Sequence, residues 1–295
     1  MTLTLPFAGA PLDRAAARRK DEGWVAEQRA HPGAELIVLW RGQVLHERGQ
    51  GASRLLPLTM DALAETGGAP VLLGLRGEAP VWAVDAGERA APPLTDLGAY
   101  ASLRDLGPYL PPEELAIIGH AVWLTGWHHR HPFDPRTGET SAPREGGGKR
   151  VTASGAEQFP RVDVVSIVLP TLGDRVCLGR SPHFPAGFLS AFAGFMEPGE
   201  SLEECAGREL REETGLEATR LAYVASQPWP FPSSLMVGFE AEVASDALTL
   251  DPEEIEEARW LTRNEARLAL RGEGPIMVPP PLAIAHHLLK HWAER

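Results

Sequence analysis

Within the short segment at residues 194–216, the spacing of four carboxylates (Glu200, Glu209, Glu212 and Glu213) and of Arg208 could support metal-dependent cleavage of a diphosphate. Ser201 is followed three residues later by Glu204, which is a capping-box pattern, and Gly215 suits the left-handed residue that ends a helix. We therefore predict a helix of about three to four turns between these signals.

The predicted helix places Glu209, Glu212 and Glu213 on one face, with Arg208 at the edge of that face. Like charges at these spacings destabilise an isolated helix, and residues 194–216 contain no lysine to offset them. Oxygen ligands that converge on one point suit Mg²⁺ or Mn²⁺, which also bind substrate phosphates. The segment is thus a candidate metal site, and the alternative is a solvated acidic helix surface.

The full spacing resembles the Nudix box, G-x5-E-x7-R-E-U-x-E-E-x-G-U, in which U is aliphatic. Its fixed positions are filled by Gly194, Glu200, Arg208, Glu209, Leu210, Glu212, Glu213, Gly215 and Leu216. The resemblance implies that Glu209, Glu212 and Glu213 bind divalent cations and that Glu200 and Arg208 support them. Such cations lower the pKa of a bound water, and Glu212 or Glu213 would help to deprotonate it.

A second candidate segment, residues 226–234, reads SQPWPFPSS and is uncharged. Its prolines fix φ and reduce the entropy lost when Trp229 and Phe231 are held in place, although the rings could simply pack into the core. The segment resembles the SQPWPFPxS signature of NADH pyrophosphatases. That resemblance implies a contact of Trp229 with the neighbouring subunit of a homodimer, and substrate-binding roles for Ser226, Gln227, Pro228, Trp229, Pro230, Phe231, Pro232, Ser233 and Ser234.

Further positions match the NADH pyrophosphatase family one by one. Phe195 corresponds to an aromatic residue that stacks on a substrate base, and Ala193 to a residue whose carbonyl contributes to the metal site. Glu254 corresponds to an extra metal-binding glutamate, although acidic residues also favour a helix N-terminus. Ala285 corresponds to a residue that borders the substrate, and Phe159 is assigned to substrate binding in the GAEQFPR segment.

Together the two motifs imply hydrolysis of NADH, and of NAD⁺, at the diphosphate bridge, which yields the nicotinamide mononucleotide and AMP. Mg²⁺ or Mn²⁺, a dinucleotide substrate and a homodimer complete this hypothesis. Alternatives are removal of an NAD cap from RNA and hydrolysis of another nucleoside-diphosphate compound such as ADP-ribose. A non-catalytic nucleotide sensor is disfavoured because sensors of this kind tend to lose glutamates of the box.

The formal net charge of −12 bears on these alternatives. A broad nucleic-acid-binding surface needs clustered Lys and Arg, so the acidity argues against one. A dinucleotide pocket could still hold an RNA 5′ end. Bound cations or local arginines would offset the repulsion between the acidic protein and an anionic substrate.

The length of 295 residues allows about two domains. The resemblance implies an α/β (α+β) fold, in which residues 161–295 form the catalytic Nudix α/β/α sandwich with a mixed sheet. Residues 1–126 are predicted to form a small rudimentary Nudix-like domain that ends in a helix at residues 112–127. A degenerate zinc-ribbon linker over residues 127–160 would join the two, and a final helix is expected at residues 282–293.

The linker departs from the family pattern. It keeps the lead-in WHHRH at residues 127–131, but the four expected cysteines are replaced by Asp134, Thr137, Val151 and Ser154. Thr, Val and Ser cannot replace thiolates in a four-cysteine site, so we predict no structural zinc. Residues 135–149 are rich in Gly, Pro and Thr and are expected to form a mobile loop. The alternative is a substitute metal site formed by His128, His129, His131 and Asp134.

Cysteine usage and hydropathy favour a cytoplasmic protein. Cys177 and Cys205 are isolated and give no disulfide framework, and residues 1–10 lack a basic region followed by a long apolar core. The uncharged stretch at residues 221–239 is long enough to span a bilayer, but its prolines and polar residues make it a poor membrane helix.

Overall fold

The computed structural model describes residues 5–47 and 54–295, and these divide into two compact units. The amino-terminal unit contains the described residues of Phe7–Val162 together with Trp229–Ser233. The carboxyl-terminal unit contains the described residues up to Pro6, then Asp163–Pro228 and Ser234–Arg295. Residues 127–160, predicted as a separate linker, thus group with the amino-terminal unit.

The amino-terminal unit combines four helices with two sheets. Its elements are α1 (Glu22–Arg29), β1 (Glu35–Trp40), β2 (Gln43–His46), β3 (Leu58–Thr59), α2 (Leu63–Thr66), β4 (Val71–Arg76), β5 (Ala79–Asp85), β6 (Ala99–Ala101), α3 (Leu103–Leu106), α4 (Pro112–Arg130), β7 (Ser141–Arg144), β8 (Lys149–Thr152) and β9 (Glu157–Gln158). Short 3₁₀ turns lie at Arg18–Lys20, Met60–Ala62, Gly107–Tyr109 and Glu145–Gly147.

The larger sheet of this unit has the strand order β4-β5-β1-β2-β6, with β3 paired to the start of β1. β1 and β5 run parallel, and the other pairs are antiparallel. Leu36 and Val38 of β1 pack with Leu72 and Trp82 in a hydrophobic cluster. The predicted helix at residues 112–127 is present as α4, which continues to Arg130.

The segment predicted as a mobile loop contains a strand. Ser141–Arg144 pairs with Lys149–Thr152 as β7 and β8, and β9 completes a three-stranded antiparallel sheet. The buried Arg150 donates hydrogen bonds to both the hydroxyl and the carbonyl oxygen of Ser141. The loop prediction was therefore wrong for Ser141–Arg144, because composition signals turns but does not reveal cross-strand hydrogen bonds.

The carboxyl-terminal unit is a sheet between two layers of helix. Its elements are β10 (Asp163–Leu172), β11 (Arg175–Arg180), β12 (Phe192–Phe195), α5 (Leu202–Thr214), β13 (Ala218–Trp229), β14 (Ser234–Val243), β15 (Glu257–Thr262), α6 (Arg263–Leu270) and α7 (Ile284–Ala293). The strand order is β13-β14-β10-β11-β15, with β12 paired to β10 and with β10 parallel to β14.

Strand alternation divides the core of this unit between the two faces of the sheet. Ile167 and Leu169 of β10 pack in one cluster with Leu288 of α7, whereas Val168 packs on the opposite side with Leu210 of α5. The mixed sheet with helices on both faces confirms the α/β/α sandwich predicted from the sequence. Among the described residues, no helix is long and apolar enough to cross a membrane.

Candidate active site

Helix α5 begins and ends where the sequence predicts. The Ser201 hydroxyl accepts from the backbone N–H of Glu204, and the Glu204 carboxylate accepts from the N–H of Ser201. At the other end, Gly215 adopts a φ of 72°, which places it in the left-handed region that favours glycine. The helix that carries the motif is therefore fixed by local interactions at both ends.

Three carboxylates converge beside this helix. Ligand atoms of Glu209, Glu213 and Glu254 all lie within 4.8 Å of one another. Glu254 comes from a distant turn, in which the N–H of Ile255 donates to the carbonyl of Asp251 at 2.8 Å. That turn is also tied to α5, because the N–H of Asp251 donates to the carbonyl of Glu213. The turn replaces the helix N-terminus that was the alternative for this acidic run.

A glycine on β12 makes room for one of these carboxylates. A Cβ atom placed on Gly194 would lie 1.9 to 2.1 Å from the carboxyl atoms of Glu209. No side chain fits at that distance, so any residue larger than glycine must displace Glu209. The first glycine of the motif is thus a steric requirement for the position of the Glu209 carboxylate.

Glu213 is buried without a full set of partners. Its side chain is 6% exposed, and among the described residues its Oε2 has no hydrogen-bond partner. Burial, followed by the charges of Glu209 and Glu254, raises the pKa of Glu213 to about 8, while a backbone hydrogen bond from Ala193 opposes this shift. Burial also raises the pKa of Glu209. A buried, unpartnered carboxylate oxygen beside two further carboxylates is a donor set that fits a divalent cation.

Arg208 holds the carboxylates around it. Its guanidinium binds Glu200 through Nε and Nη2, donates from Nη1 to Glu209 at 2.7 Å and to Glu212 at 2.9 Å, and donates from Nη2 to the carbonyl of Phe195. The hydrogen bonds from Arg208 lower the pKa of Glu200 to about 2. Arg208 therefore links Glu200 to Glu209 and Glu212, and the supporting role that the motif implies for Glu200 and Arg208 stays a prediction.

The structure separates Glu212 from the other glutamates of the predicted metal face. Its side chain is 54% exposed and pairs with Arg208, and it does not belong to the group formed by Glu209, Glu213 and Glu254. Phe195, directly after Gly194 on β12, is 63% exposed and presents its ring to solvent. The predicted roles of Glu212 as a ligand and of Phe195 in stacking stay predictions.

Gln227 of the proline-rich segment is fully buried and bound to the backbone. Its Nε2 donates to the carbonyls of Leu282 and Pro6, and its Oε1 accepts from the N–H of Ile284 at 2.7 Å. This side chain therefore caps the start of α7, a positioning role that the sequence did not reveal because the partners are distant in the chain. Ala285, on the same helix, is buried in the core at 5% exposure.

The aromatic residues of the segment pack within the amino-terminal unit. The rings of Trp229 and Phe231 are 5.0 Å apart, and Phe7 contacts both edge to face at 6.0 and 5.9 Å. The Arg104 guanidinium lies 4.0 Å from the Phe231 ring centroid and 5.5 Å from that of Trp229. The two rings are thus held by an aromatic residue and by a cation.

The other predicted substrate residues differ in exposure. Pro232 and Phe159 are exposed, and Ser226 and Pro228 are half-buried. The hydroxyl of Ser226 accepts from the Tyr223 hydroxyl at 3.3 Å. The buried positions of the segment are Pro230, Ser233 and Ser234. The predicted substrate contacts of all these residues stay predictions.

Most of the residues that stand where the resemblance places zinc-binding cysteines form hydrogen bonds through their side chains. Asp134 Oδ1 accepts from both the N–H and the hydroxyl of Thr137 at 2.9 Å, which closes a tight turn. Ser154 donates from its N–H and its hydroxyl to the carboxylate of Glu139. Val151 lies within β8, where it pairs with its neighbours through the backbone.

The histidines of the lead-in have separate partners. The imidazole of His128 bonds to the carbonyl of Gly147, that of His131 bonds to the carbonyl of Trp127, and His129 lies 3.5 Å from Glu88. Burial lowers the pKa of His128 to about 4. Among the described residues, the only group of three or more metal-ligand side chains is Glu209, Glu213 and Glu254.

Two family models match different parts of the chain. Residues 160–278 match the NUDIX domain family, and residues 33–127 match the NADH pyrophosphatase-like rudimentary NUDIX domain. A Nudix hydrolase structure from Nitrosomonas europaea aligns with a TM-score of 0.43 and 20% identity, over 55% of this chain and 90% of that chain.

Two kinds of curated relative match over long stretches. The chain is 40% identical over 196 residues to the NAD-capped RNA hydrolase NUDT12 of Homo sapiens, covering 62% of this chain but only 42% of that protein. It is 37% identical over 277 residues to the NAD-capped RNA hydrolase NudC of Mycobacterium bovis, covering 89% of this chain and 87% of that protein. The motifs, the rudimentary amino-terminal domain and this extent of identity show that the chain belongs to the NudC/NADH pyrophosphatase family of Nudix hydrolases.

Proposed function

We propose that the chain hydrolyses the diphosphate bond of NADH and NAD⁺ to give the nicotinamide mononucleotide and AMP. The observation that carries this proposal is the cluster of Glu209, Glu213 and Glu254, in which Glu213 Oε2 is buried and unpartnered among the described residues. The SQPWPFPSS segment and the membership in the NADH pyrophosphatase family support the dinucleotide as substrate.

Each group of the cluster has a distinct task in this proposal. Bound Mg²⁺ or Mn²⁺ would neutralise the diphosphate and lower the pKa of a bound water. Glu209, Glu213 and Glu254 would hold the cation, and Arg208 fixes the carboxylate of Glu209 by a 2.7 Å hydrogen bond. Glu212 has one oxygen on Arg208 and remains 54% exposed, so it suits the general base better than the buried Glu213.

The substrate's bases would be held by aromatic side chains. Phe195 is exposed and directly follows the glycine that accommodates Glu209, so a base stacked on its ring would lie close to the carboxylate cluster. The resemblance to the SQPWPFPxS signature supports substrate contacts of Trp229 and Phe231 as well. We also propose a homodimer in the cytoplasm, in which Trp229 contacts the partner; light scattering of the purified protein tests the dimer.

Product analysis tests the activity. The protein would be incubated with Mg²⁺ and, separately, with NADH, NAD⁺ and ADP-ribose, and the products would be identified by mass. We expect the nicotinamide mononucleotide and AMP, with the highest kcat/KM for NADH or NAD⁺. If every compound binds but none is hydrolysed, the result favours a nucleotide sensor. A kcat/KM for ADP-ribose above that for NADH and NAD⁺ would overturn the proposal that the dinucleotide is the substrate.

Removal of an NAD cap from RNA is a second candidate, because the relatives NudC and NUDT12 are named NAD-capped RNA hydrolases. The same bond is cleaved in both substrates, so the carboxylate cluster serves either one. Competition separates them: NAD-capped RNA and NADH would be mixed at equal concentrations, and the faster-consumed compound is the preferred substrate. A kcat/KM for capped RNA that is far below that for NADH would remove this candidate.

We also propose that the ribbon segment folds without zinc. The hydrogen bonds that Asp134 accepts from Thr137 close one turn, and those that Glu139 accepts from Ser154 join two parts of the segment. These bonds replace part of the folding energy that a metal supplies elsewhere. Elemental analysis of protein purified in metal-free buffer tests this proposal, and one bound zinc per chain would contradict it.

A further inference from the structure

The amino-terminal unit contains a cavity of about 370 Å³ that none of the proposed catalytic groups uses. A cavity of this volume lies in the range of small-molecule sites. Its walls come from the β1–β2 turn, the end of β5, the last turns of α4 and two prolines of the SQPWPFPSS segment. Arg41, Asp85, Gly126, His129 and Arg130 are among the lining residues.

The charged groups of this cavity are mainly cationic. Arg41 and Arg130 both line it, and among the described residues neither guanidinium has a carboxylate within 4.0 Å. His129 adds an imidazole whose neighbour is Glu88, which is 84% exposed. In a chain of net charge −12, two arginines without carboxylate partners at one cavity are a favourable environment for an anion.

The one carboxylate in the cavity wall is already engaged. Asp85 Oδ1 accepts from the N–H of Arg41 at 2.9 Å, and its Oδ2 accepts from the N–H of Gly42 at 3.1 Å. These bonds hold the tight β1–β2 turn, in which Arg41 and Gly42 both have positive φ. The negative charge of Asp85 therefore stabilises the turn that carries Arg41, and both of its oxygens are directed to the backbone.

The shape of the cavity depends on a glycine within α4. Gly126 lies near the middle of the last two turns, where glycine is a less favourable helix residue than alanine. A Cβ atom at this position would lie 3.1 Å from Nη1 of Arg130, and no other described group outside the backbone of α4 and the neighbouring residues lies within 4 Å of that Cβ. The missing side chain thus leaves space beside the helix for the Arg130 guanidinium and for a ligand.

We propose that this cavity binds the phosphate of a nucleotide, either a free mononucleotide or a nucleotide unit of an RNA chain. Arg41 and Arg130 bind the phosphate oxygens, and Gly42, Gly87 and Gly126 let the ligand approach the backbone closely. Pro230 and Pro232 form a rigid wall that the substrate segment itself supplies. The cavity shares no residue with the carboxylate cluster, and all of its lining residues belong to the amino-terminal unit.

Binding of AMP to the full chain in EDTA tests this site. Isothermal titration should show saturable binding to the unmodified protein, and Arg130→Gln should weaken it about tenfold or more, because a charged hydrogen-bond donor to the phosphate is lost. Gly126→Leu should abolish binding by filling the cavity while improving helix propensity, so its melting temperature should not fall. No saturable binding by the unmodified protein, or full binding by Gly126→Leu, would overturn the proposal.

A matched control and a second probe complete the experiment. Arg29→Gln removes the same charge from an exposed position on α1 and should leave AMP binding unchanged; an equal loss there would show a nonspecific charge effect and overturn the site. A short 5′-phosphorylated RNA replaces AMP in the second arm. A larger loss for RNA than for AMP in Arg130→Gln assigns the cavity to an RNA chain, and equal losses assign it to a free nucleotide.

The same series separates this site from the proposed hydrolysis. Glu213→Gln should lose NADH hydrolysis in Mg²⁺ but should bind AMP in EDTA as the unmodified protein does, because Glu213 lies in the other unit. Loss of AMP binding in Glu213→Gln would place the bound nucleotide at the carboxylate cluster and overturn the second site.

Discussion

The two six-stranded sheets of this protein connect their strands in the same way. Among the described residues, however, a cluster of three carboxylates occurs only in the carboxyl-terminal unit. In the amino-terminal unit, β1 forms a hairpin with β2, pairs with β3 and runs parallel to β5. In the carboxyl-terminal unit, β10 forms a hairpin with β11, pairs with β12 and runs parallel to β14. Strand topology by itself therefore does not create the site.

The clearest difference between the two units is the length of the helix that follows β3 or β12. α2 has four residues and α5 has thirteen, but both end at a threonine followed by a glycine with φ near 71° or 72°. Glu65 precedes the threonine of α2 and is exposed, whereas Glu213 precedes that of α5 and is buried. The longer helix, Gly194 and the Glu254 turn together place Glu213 in a cluster where it and Glu209 are buried, whereas Glu65 stays exposed.

Replacing Glu213, and separately the corresponding Glu65, by glutamine should show the largest difference in kcat. Glu213→Gln removes a charge from the cluster, and a cation's stabilisation of the transition state amounts to several kcal/mol, so kcat should fall about a thousandfold or more. Glu65→Gln, at the corresponding position of α2, should leave kcat unchanged. Steady-state rates with NADH and Mg²⁺ measure both. Retained turnover in Glu213→Gln would remove this residue from the metal site, provided that circular dichroism shows the same fold.

Two glycine substitutions test whether the position of the Glu209 carboxylate requires glycine at residue 194. Gly194→Ala forces the Glu209 carboxylate away from the other two, and a shift of about 1 Å can cost about a hundredfold in rate. Gly207→Ala adds the same methyl group to α5 where, outside the helix's own backbone and the neighbouring residues, no described group lies within 4 Å, and it should stabilise the helix by about 0.5–1 kcal/mol without loss of activity. NADH turnover and thermal melting distinguish the two. Equal activity of both variants would show that Gly194 is not required.

The buried carboxyl group of Glu213 should make stability depend on pH when metal is removed. The pKa of Glu213 rises from 4.5 to about 8 on folding, so the folded protein binds this proton more tightly than the unfolded chain. Its contribution to stability is full below about pH 4.5 and is lost as the pH rises to about 8, an effect on the order of a few kcal/mol. Melting in EDTA should therefore occur at lower temperature at pH 8 than at pH 5.

Two variants test whether Glu213 causes this dependence of stability on pH. Glu213→Gln cannot ionise, so its melting temperature should fall less across the same pH range. Glu212→Gln changes an exposed carboxylate and should keep the dependence of the unmodified protein. The same slope in Glu213→Gln as in the unmodified protein would assign the effect to other groups. Added Mg²⁺ should reduce the slope, because a cation replaces the proton at the cluster.

Local signals explain what could be predicted from the sequence. Ser201, Glu204 and Gly215 set the ends of α5 through contacts within a few residues, so its limits were predictable. Glu254 lies far along the chain, and only the family resemblance indicated that it joins Glu209 and Glu213. Helical periodicity placed Glu212 with them, but periodicity gives a face and not the partner that each side chain selects.

Two structural features could not be predicted because the contacts that form them leave no local pattern in the sequence. Gln227 was assigned to substrate binding with the rest of its segment, but its amide bonds to backbone groups of Leu282 and Ile284 more than fifty positions away. The strand Ser141–Arg144 was expected as a loop because its pairing with Lys149–Thr152 leaves no periodic apolar pattern. Neither side-chain capping across the chain nor polar strand pairing has a local sequence signal.

The smallest expected effect concerns the contribution of the amino-terminal unit to the substrate segment. Arg104→Met keeps the length of the side chain but removes the cation that lies over Phe231 and Trp229, an interaction of about 0.5–1 kcal/mol at an exposed site. The KM for NADH should rise about twofold to fivefold with kcat unchanged. Arg29→Met, on the exposed side of α1, is the control and should change neither constant. An unchanged KM in Arg104→Met would show that the amino-terminal unit holds this segment through Phe7 packing alone.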